Sequence, residues 1–301
     1  MLKINLWLRP LLIIASIALI TLAAVTLTPS LADETRDIQF NSQSVTLSGT
    51  LIIPRRRHIV AAIVLVSGSG KSERMTGLGR IFAQKGIATL TYDKRGAGKS
   101  AGVYEGPEVG TENVSPANLD LLASDAAAAM HTLAGELRDI PAGFVGISQA
   151  GWVIPLAATK SPSAKFMVLW SGPVSTTHEQ RIFQNITLEA ADFWKRHTQS
   201  EVRELMSKAD DNFPFGDTDP RDALRKLAIP GLWLFGGRDS AVPVELSIAR
   251  LTEITHKKNT AFEYGLFPNY QHDLDHLGKD IFTTTVDWIE RTTHEGPEST
   301  N

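Results

Sequence analysis

Short apolar runs recur along the chain at residues 59–66, 87–92, 142–146, 165–170 and 231–235, each closed by a glycine-containing or polar segment. Uninterrupted apolar runs of this length are the mark of strands buried on both faces. Helical spacing falls between them, at residues 75–85 up to Gly86, across the alanine-rich 117–137, after Ser148, and at 244–255 and 280–292, with a further strand at 260–267. Strands that alternate with helices predict an α/β fold, a mostly parallel sheet with right-handed crossovers and helices on both faces. Residues 37–54 follow another rule. Ile38, Phe40, Val45 and Leu47 alternate with polar positions, broken at Asn41-Ser42 and Gly49, and this period of two predicts an antiparallel hairpin at the domain edge.

Residues 174–220 interrupt the alternation. They hold charged helical stretches at 179–196 and 201–211 and the aromatics Phe183, Phe193, Trp194, Phe213 and Phe215. We read them as a helical cap inserted between two strands, its aromatics forming mainly the cap's own core. Pro155, inside the helix after Ser148, lacks an N–H and is expected to kink it.

The amino terminus is of a different kind. Lys3 and Arg9 precede an apolar, uncharged run at 11–27, and the small residues Ser30 and Ala32 stand before Asp33-Glu34. Basic, apolar and small-x-small segments in that order predict a secretory signal peptide over residues 1–32; the competing reading is an uncleaved membrane anchor. Either places the folded part outside the cytoplasm, periplasmic or extracellular. The expected organisation is therefore 1–32 as leader, 33–173 as first part of the core, 174–220 as cap and 221–301 as second part.

Length and composition narrow the partners. A chain of 301 residues can bury a sizeable core. Its net charge of −3 gives no basic excess for nucleic acid, and Arg55-Arg56-Arg57 reads as a solvated turn. The absence of cysteine excludes disulfides, thiolate nucleophiles and cysteine-bound zinc.

In open α/β sheets, function gathers at the carboxyl ends of the strands. The segment Gly146-Ile147-Ser148-Gln149-Ala150-Gly151 reads as a strand turning sharply into a helix with Ser148 at the apex. Only small neighbours fit such a turn, and the helix aims its first amides at the hydroxyl. The bland alternative is a serine capping an ordinary helix. Gly237-Arg238-Asp239 follows the next-to-last strand, and His272 follows the last. Asp239 alone could be a turn residue, and His276 rivals His272 as a base. Asp93 and Arg95 read as a structural loop network.

With these residues in the order serine, acid, histidine, the chain resembles the α/β-hydrolase superfamily, and within it the secreted serine esterases and serine peptidases. The Asp93-Lys94-Arg95-Gly96-Ala97-Gly98-Lys99-Ser100 loop also matches, and the resemblance runs from about Ile38 to about Thr292. Two positions depart from the pattern: Ala150 stands where the motif has glycine, and Ser67-Gly68 stands where the family has His-Gly. The resemblance implies Ser148 as nucleophile, His272 as general base and Asp239 as the residue that orients it. It also implies an oxyanion site made by the backbone amides of Ser69 and Gln149. No cofactor is implied. Gly70-Lys71-Ser72 and Gly98-Lys99-Ser100 lack the preceding glycine of a phosphate loop. The pair His272 and His276 lacks the glutamate of a zinc protease, and we expect no metal.

The expected function is an exported serine hydrolase of carboxylic esters, acting through an acyl-enzyme on small or medium, uncharged or acyl-chain substrates. The alternatives are a serine peptidase cleaving short peptides, a thioesterase, and a binding module that keeps the fold without the chemistry. A nucleic-acid partner is not expected, and a membrane enters only if residues 1–32 remain attached.

Overall fold

The computed structural model describes residues 32–104, 113–258 and 261–294. The expected leader lies almost wholly outside them. Eight strands form one sheet: β1 (Glu34–Ser42), β2 (Val45–Ile53), β3 (Ala61–Val66), β4 (Ile87–Tyr92), β5 (Ala142–Ile147), β6 (Ala164–Trp170), β7 (Gly231–Gly236) and β8 (Phe262–Phe267). Their spatial order is β1-β2-β4-β3-β5-β6-β7-β8. β1 and β2 form the antiparallel hairpin, β2 pairs antiparallel with β4, and every later pairing is parallel.

The helices are α1 (Thr76–Ala83), α2 (Pro116–Glu136), α3 (Ala150–Thr159), α4 (Thr177–Thr187), α5 (Gln199–Lys208), α6 (Arg221–Leu224), α7 (Val244–Lys258) and α8 (Lys279–His294). They cover both faces of the sheet, which is why β3, β4 and β5 are buried almost from end to end. All of β3 is buried. Because side chains alternate along a strand, Ala62, Val64 and Val66 belong to the core shared with α2, α3 and α7, whereas Ala61, Ile63 and Leu65 belong to the one shared with α1 and α8. Each Val, Leu or Ile so enclosed contributes about 1.5–3 kcal/mol relative to exposure.

Residues 174–220 do lie between β6 and β7, but their helices are shorter than the charge pattern implied. α4 opens with a reciprocal Thr176–Glu179 capping box and stops at Leu188, which adopts φ +51°. Glu189 is left-handed as well. One helical turn follows at Phe193–Lys195, then α5 with its own Thr198–Glu201 box. Phe183, Phe193 and Val202 form a small separate core with Trp194 against it. Phe213 and Phe215 pack instead on the His178 ring. α3 continues through Pro155 as one helix, with Pro155 buried inside it.

Candidate active site

Ser148 sits between β5 and α3 with φ +56°, a left-handed conformation that costs an L-residue roughly 1–2 kcal/mol. The surroundings enforce it. The Ser148 amide donates to Trp170 O at 2.9 Å, extending the sheet, and Gly151 N returns to Ser148 O at 2.8 Å. Gly146 has no room for a side chain: a Cβ there would lie 2.6 Å from Ala150 Cβ and 2.9 Å from Val66 O. The methyl of Ala150 is thus accommodated by the bareness of Gly146 opposite.

The loops after β7 and β8 meet this turn. His272 Nε2 lies 2.9 Å from Ser148 Oγ, and His272 Nδ1 lies 2.8 Å from Asp239 Oδ2. Asp239 is buried, and its other oxygen accepts the amides of Ala241 at 2.7 Å and Val242 at 2.8 Å. Burial alone would push the His272 imidazolium down. The Asp239 carboxylate, by charge and hydrogen bond, more than reverses this, with Glu189 and Asp273 adding to it, so the group stands above the ordinary histidine value. His276, by contrast, points into solvent and pairs with Asp273 at 3.1 Å. Residues 274–277 all have positive φ. The two histidines therefore do not share a face of an α-helix.

Gly68 brings the loop after β3 against the nucleophile: a Cβ on it would be 3.4 Å from Ser148 Cβ. Ser69, Ser148 and His272 line one cleft of about 360 Å³. Among the described residues neither the Ser69 nor the Gln149 amide has a protein acceptor, so both are free to receive one from outside. A larger depression of about 500 Å³, by Trp194, Lys195, Arg238 and Gln271, contains none of Ser148, Asp239 and His272.

The structure thus brings together Ser148, Asp239, His272, Ser69 and the Gln149 backbone. Sequence reasoning missed Arg181 and Glu189 on the cleft wall, whose segment carries no motif. It also missed Lys94 and Asn113, which hydrogen bond to the Gln149 side chain from positions remote in the chain. Asp93 and Arg95 are structural, as expected. Asp93 is gripped by Arg74 through both oxygens, at 3.0 and 2.7 Å, and Arg95 forms a buried pair with Asp125.

An eight-stranded, mostly parallel sheet with a serine at such a turn defines an α/β-hydrolase fold. The chain belongs to the serine aminopeptidase S33 family, whose model matches residues 57–213. Its fold is similar to an esterase of Pyrococcus furiosus, at 16% identity and TM-score 0.62, covering 86% of this chain and 93% of that one. It is also similar to an acylaminoacyl peptidase of Pyrococcus horikoshii, at 16% identity and TM-score 0.61, covering 93% of this chain and 44% of that one. A dienelactone hydrolase of Anabaena variabilis matches at 17% identity and TM-score 0.56, covering 87% and 98%. Comparison with curated protein sequences gives no match.

Proposed function

We propose that the protein is an exported serine hydrolase that cleaves carboxylic esters through an acyl-enzyme. The observation that carries this reading is the continuous hydrogen-bonded chain Ser148 Oγ, His272, Asp239 at a strained strand-to-helix turn. A free hydroxyl is a weak nucleophile and needs a base in reach. His272 Nε2 takes the Ser148 proton as Oγ bonds to the substrate carbonyl carbon. Asp239 keeps the other ring nitrogen protonated and stabilises the imidazolium that forms. The Ser69 and Gln149 amides receive the oxygen that becomes negative. His272 then protonates the departing alcohol, and a water activated the same way releases the acid. Export rests on the leader pattern of residues 1–32.

A peptidase is the second reading. One observation favours it: the cleft wall after Thr176 is polar and carries Gln180, Arg181, Gln184 and Glu189, where a cation and an anion stand ready for charged peptide ends. A phosphonylating serine probe tests the chemistry, with label expected on the wild type and absent from Ser148→Ala. Paired assays on an aryl ester and an aminoacyl anilide separate the two readings; much faster anilide cleavage would replace the ester reading with the peptidase.

A further inference from the structure

Lys94 is a buried cation that the hydrolytic steps leave unused. It follows β4 and is 4% exposed. Its ammonium donates to Gly68 O and, at 2.9 Å, to Gln149 Oε1, and it lies 5.0 Å from the centre of the Tyr104 ring. The two acceptors are informative. Gly68 O and the Ser69 N–H are opposite ends of one planar peptide, so holding the carbonyl fixes where the amide points. Gln149 carries the other free amide, and its side chain is held at both ends: Lys94 on Oε1, and Nε2 donating to Asn113 O at 2.7 Å and Asn113 Oδ1 at 2.6 Å. Asn113 Nδ2 closes the ring by donating to Ser69 Oγ at 3.2 Å.

We propose that Lys94 is a positioning residue of the oxyanion site, a single cation that holds both the Gly68–Ser69 peptide and Gln149 with their amides toward the reacting carbonyl. The inference rests on the serine-hydrolase reading. Charge adds to geometry here, because hydrogen bonds in series polarise one another away from water. A cation on the Gly68 carbonyl makes the Ser69 N–H a stronger donor. Burial pulls the Lys94 ammonium down to about 7, against the opposing pull of Asp125 on α2. Among the described residues, the other ionisable groups beside it are its chain neighbours Asp93 and Arg95, held by Arg74 and Asp125, and the Tyr104 phenol. Turnover is therefore expected to show an alkaline limb, where Lys94 loses its proton, besides the acid limb of His272.

The test measures kcat and KM on an aryl ester across acid, neutral and alkaline pH for the full chain and for Lys94→Met, Lys94→Arg and Ser148→Ala. Lys94→Met is expected to lower kcat by ~10²-fold, the order seen when an oxyanion donor is lost, with KM moved far less. Lys94→Arg keeps a charge at all these pH values and is expected to recover part of kcat and to abolish the alkaline limb. Wild-type kcat in Lys94→Met, or an unmoved alkaline limb in Lys94→Arg, overturns the inference while an inactive Ser148→Ala leaves the serine reading intact. Turnover in Ser148→Ala overturns both.

Discussion

The indole N–H of Trp194 donates to the backbone carbonyl of Asp239 at 2.7 Å. The inserted segment is thereby fastened to the residue that orients the base. Thr187 Oγ1 does the same for the Ser240 carbonyl at 2.6 Å, and Arg250 on α7 pairs with Glu179 on α4. Trp194→Phe keeps a ring against the segment's core but loses the donor. A neutral hydrogen bond is worth about 0.5–1.5 kcal/mol, so kcat/KM on an aryl ester is expected to fall by up to about tenfold.

Asp239→Asn isolates the orienting role. Oδ1 is committed to two backbone amides, so the new NH₂ must face His272 Nδ1. That forces the proton onto Nε2, the nitrogen that should accept from Ser148. A loss of ~10⁴ in kcat is expected, as for the wrong tautomer elsewhere. In the wild type, activity rises with pH through a midpoint above about 6.5, because Asp239 holds the imidazolium up. The stability this ion pair provides is fully present below the unfolded histidine value and is lost as pH rises through the folded one. Melting curves should therefore separate wild type from Asp239→Asn most at acid pH.

The strand-to-helix turn predicts an asymmetry between two small residues. Gly146→Ala drives a methyl into Ala150, Ile154 and Val66 and should cost about 1–3 kcal/mol by overpacking, with activity falling as Ser148 is displaced. Ala150→Gly restores the usual motif yet should lower stability by about 1 kcal/mol through helix propensity and leave kcat nearly unchanged. Denaturant titration with parallel ester assays checks both.

Asp125→Asn leaves Arg95 buried without its counter-charge, where side-chain exposures are 5% and 1%. Breaking a buried pair from one side costs about 3–5 kcal/mol, measurable by chemical denaturation. Replacing both by apolar residues of similar volume should cost far less. Asp125→Asn also removes the charge that supports the Lys94 ammonium, and the alkaline limb should move to lower pH.

Much of this was legible in the chain because the signals are local. The uninterrupted runs gave the buried strands, and the small residues around Ser148 gave the turn. His272 stands nearer the strand end than His276 does. What escaped notice depends on distant pairings. Lys94 sits between Asp93 and Arg95 in a loop that reads as a structural network of its own, and its partner Gln149 is 55 residues away. Arg181 and Glu189, on the cleft wall, are invisible to a composition that averages charge over the whole surface. The break at Leu188 and Glu189 was hidden too, since neither is glycine.

The left-handed turn after His272 was equally unannounced. His276 has φ +58° and ψ 42°, and its side chain is 93% exposed. His276→Gly removes a left-handed penalty of roughly 1–2 kcal/mol, offset in part by chain entropy. A rise of about 2 °C in Tm is expected, with turnover spared. His272→Ala should abolish turnover, and the opposite pair of results would exchange the two roles.

Three consecutive residues after β4 reach in three directions. Asp93 grips Arg74, which itself spans Ser48, Gly49 and Thr50 of β2, while Lys94 reaches the nucleophile turn and Arg95 reaches α2. The amino-terminal hairpin, remote from any bond that breaks, is by this route a mechanical support of the reaction centre. Shortened or chimeric forms that discard it would forfeit alignment at the serine along with the outer strands.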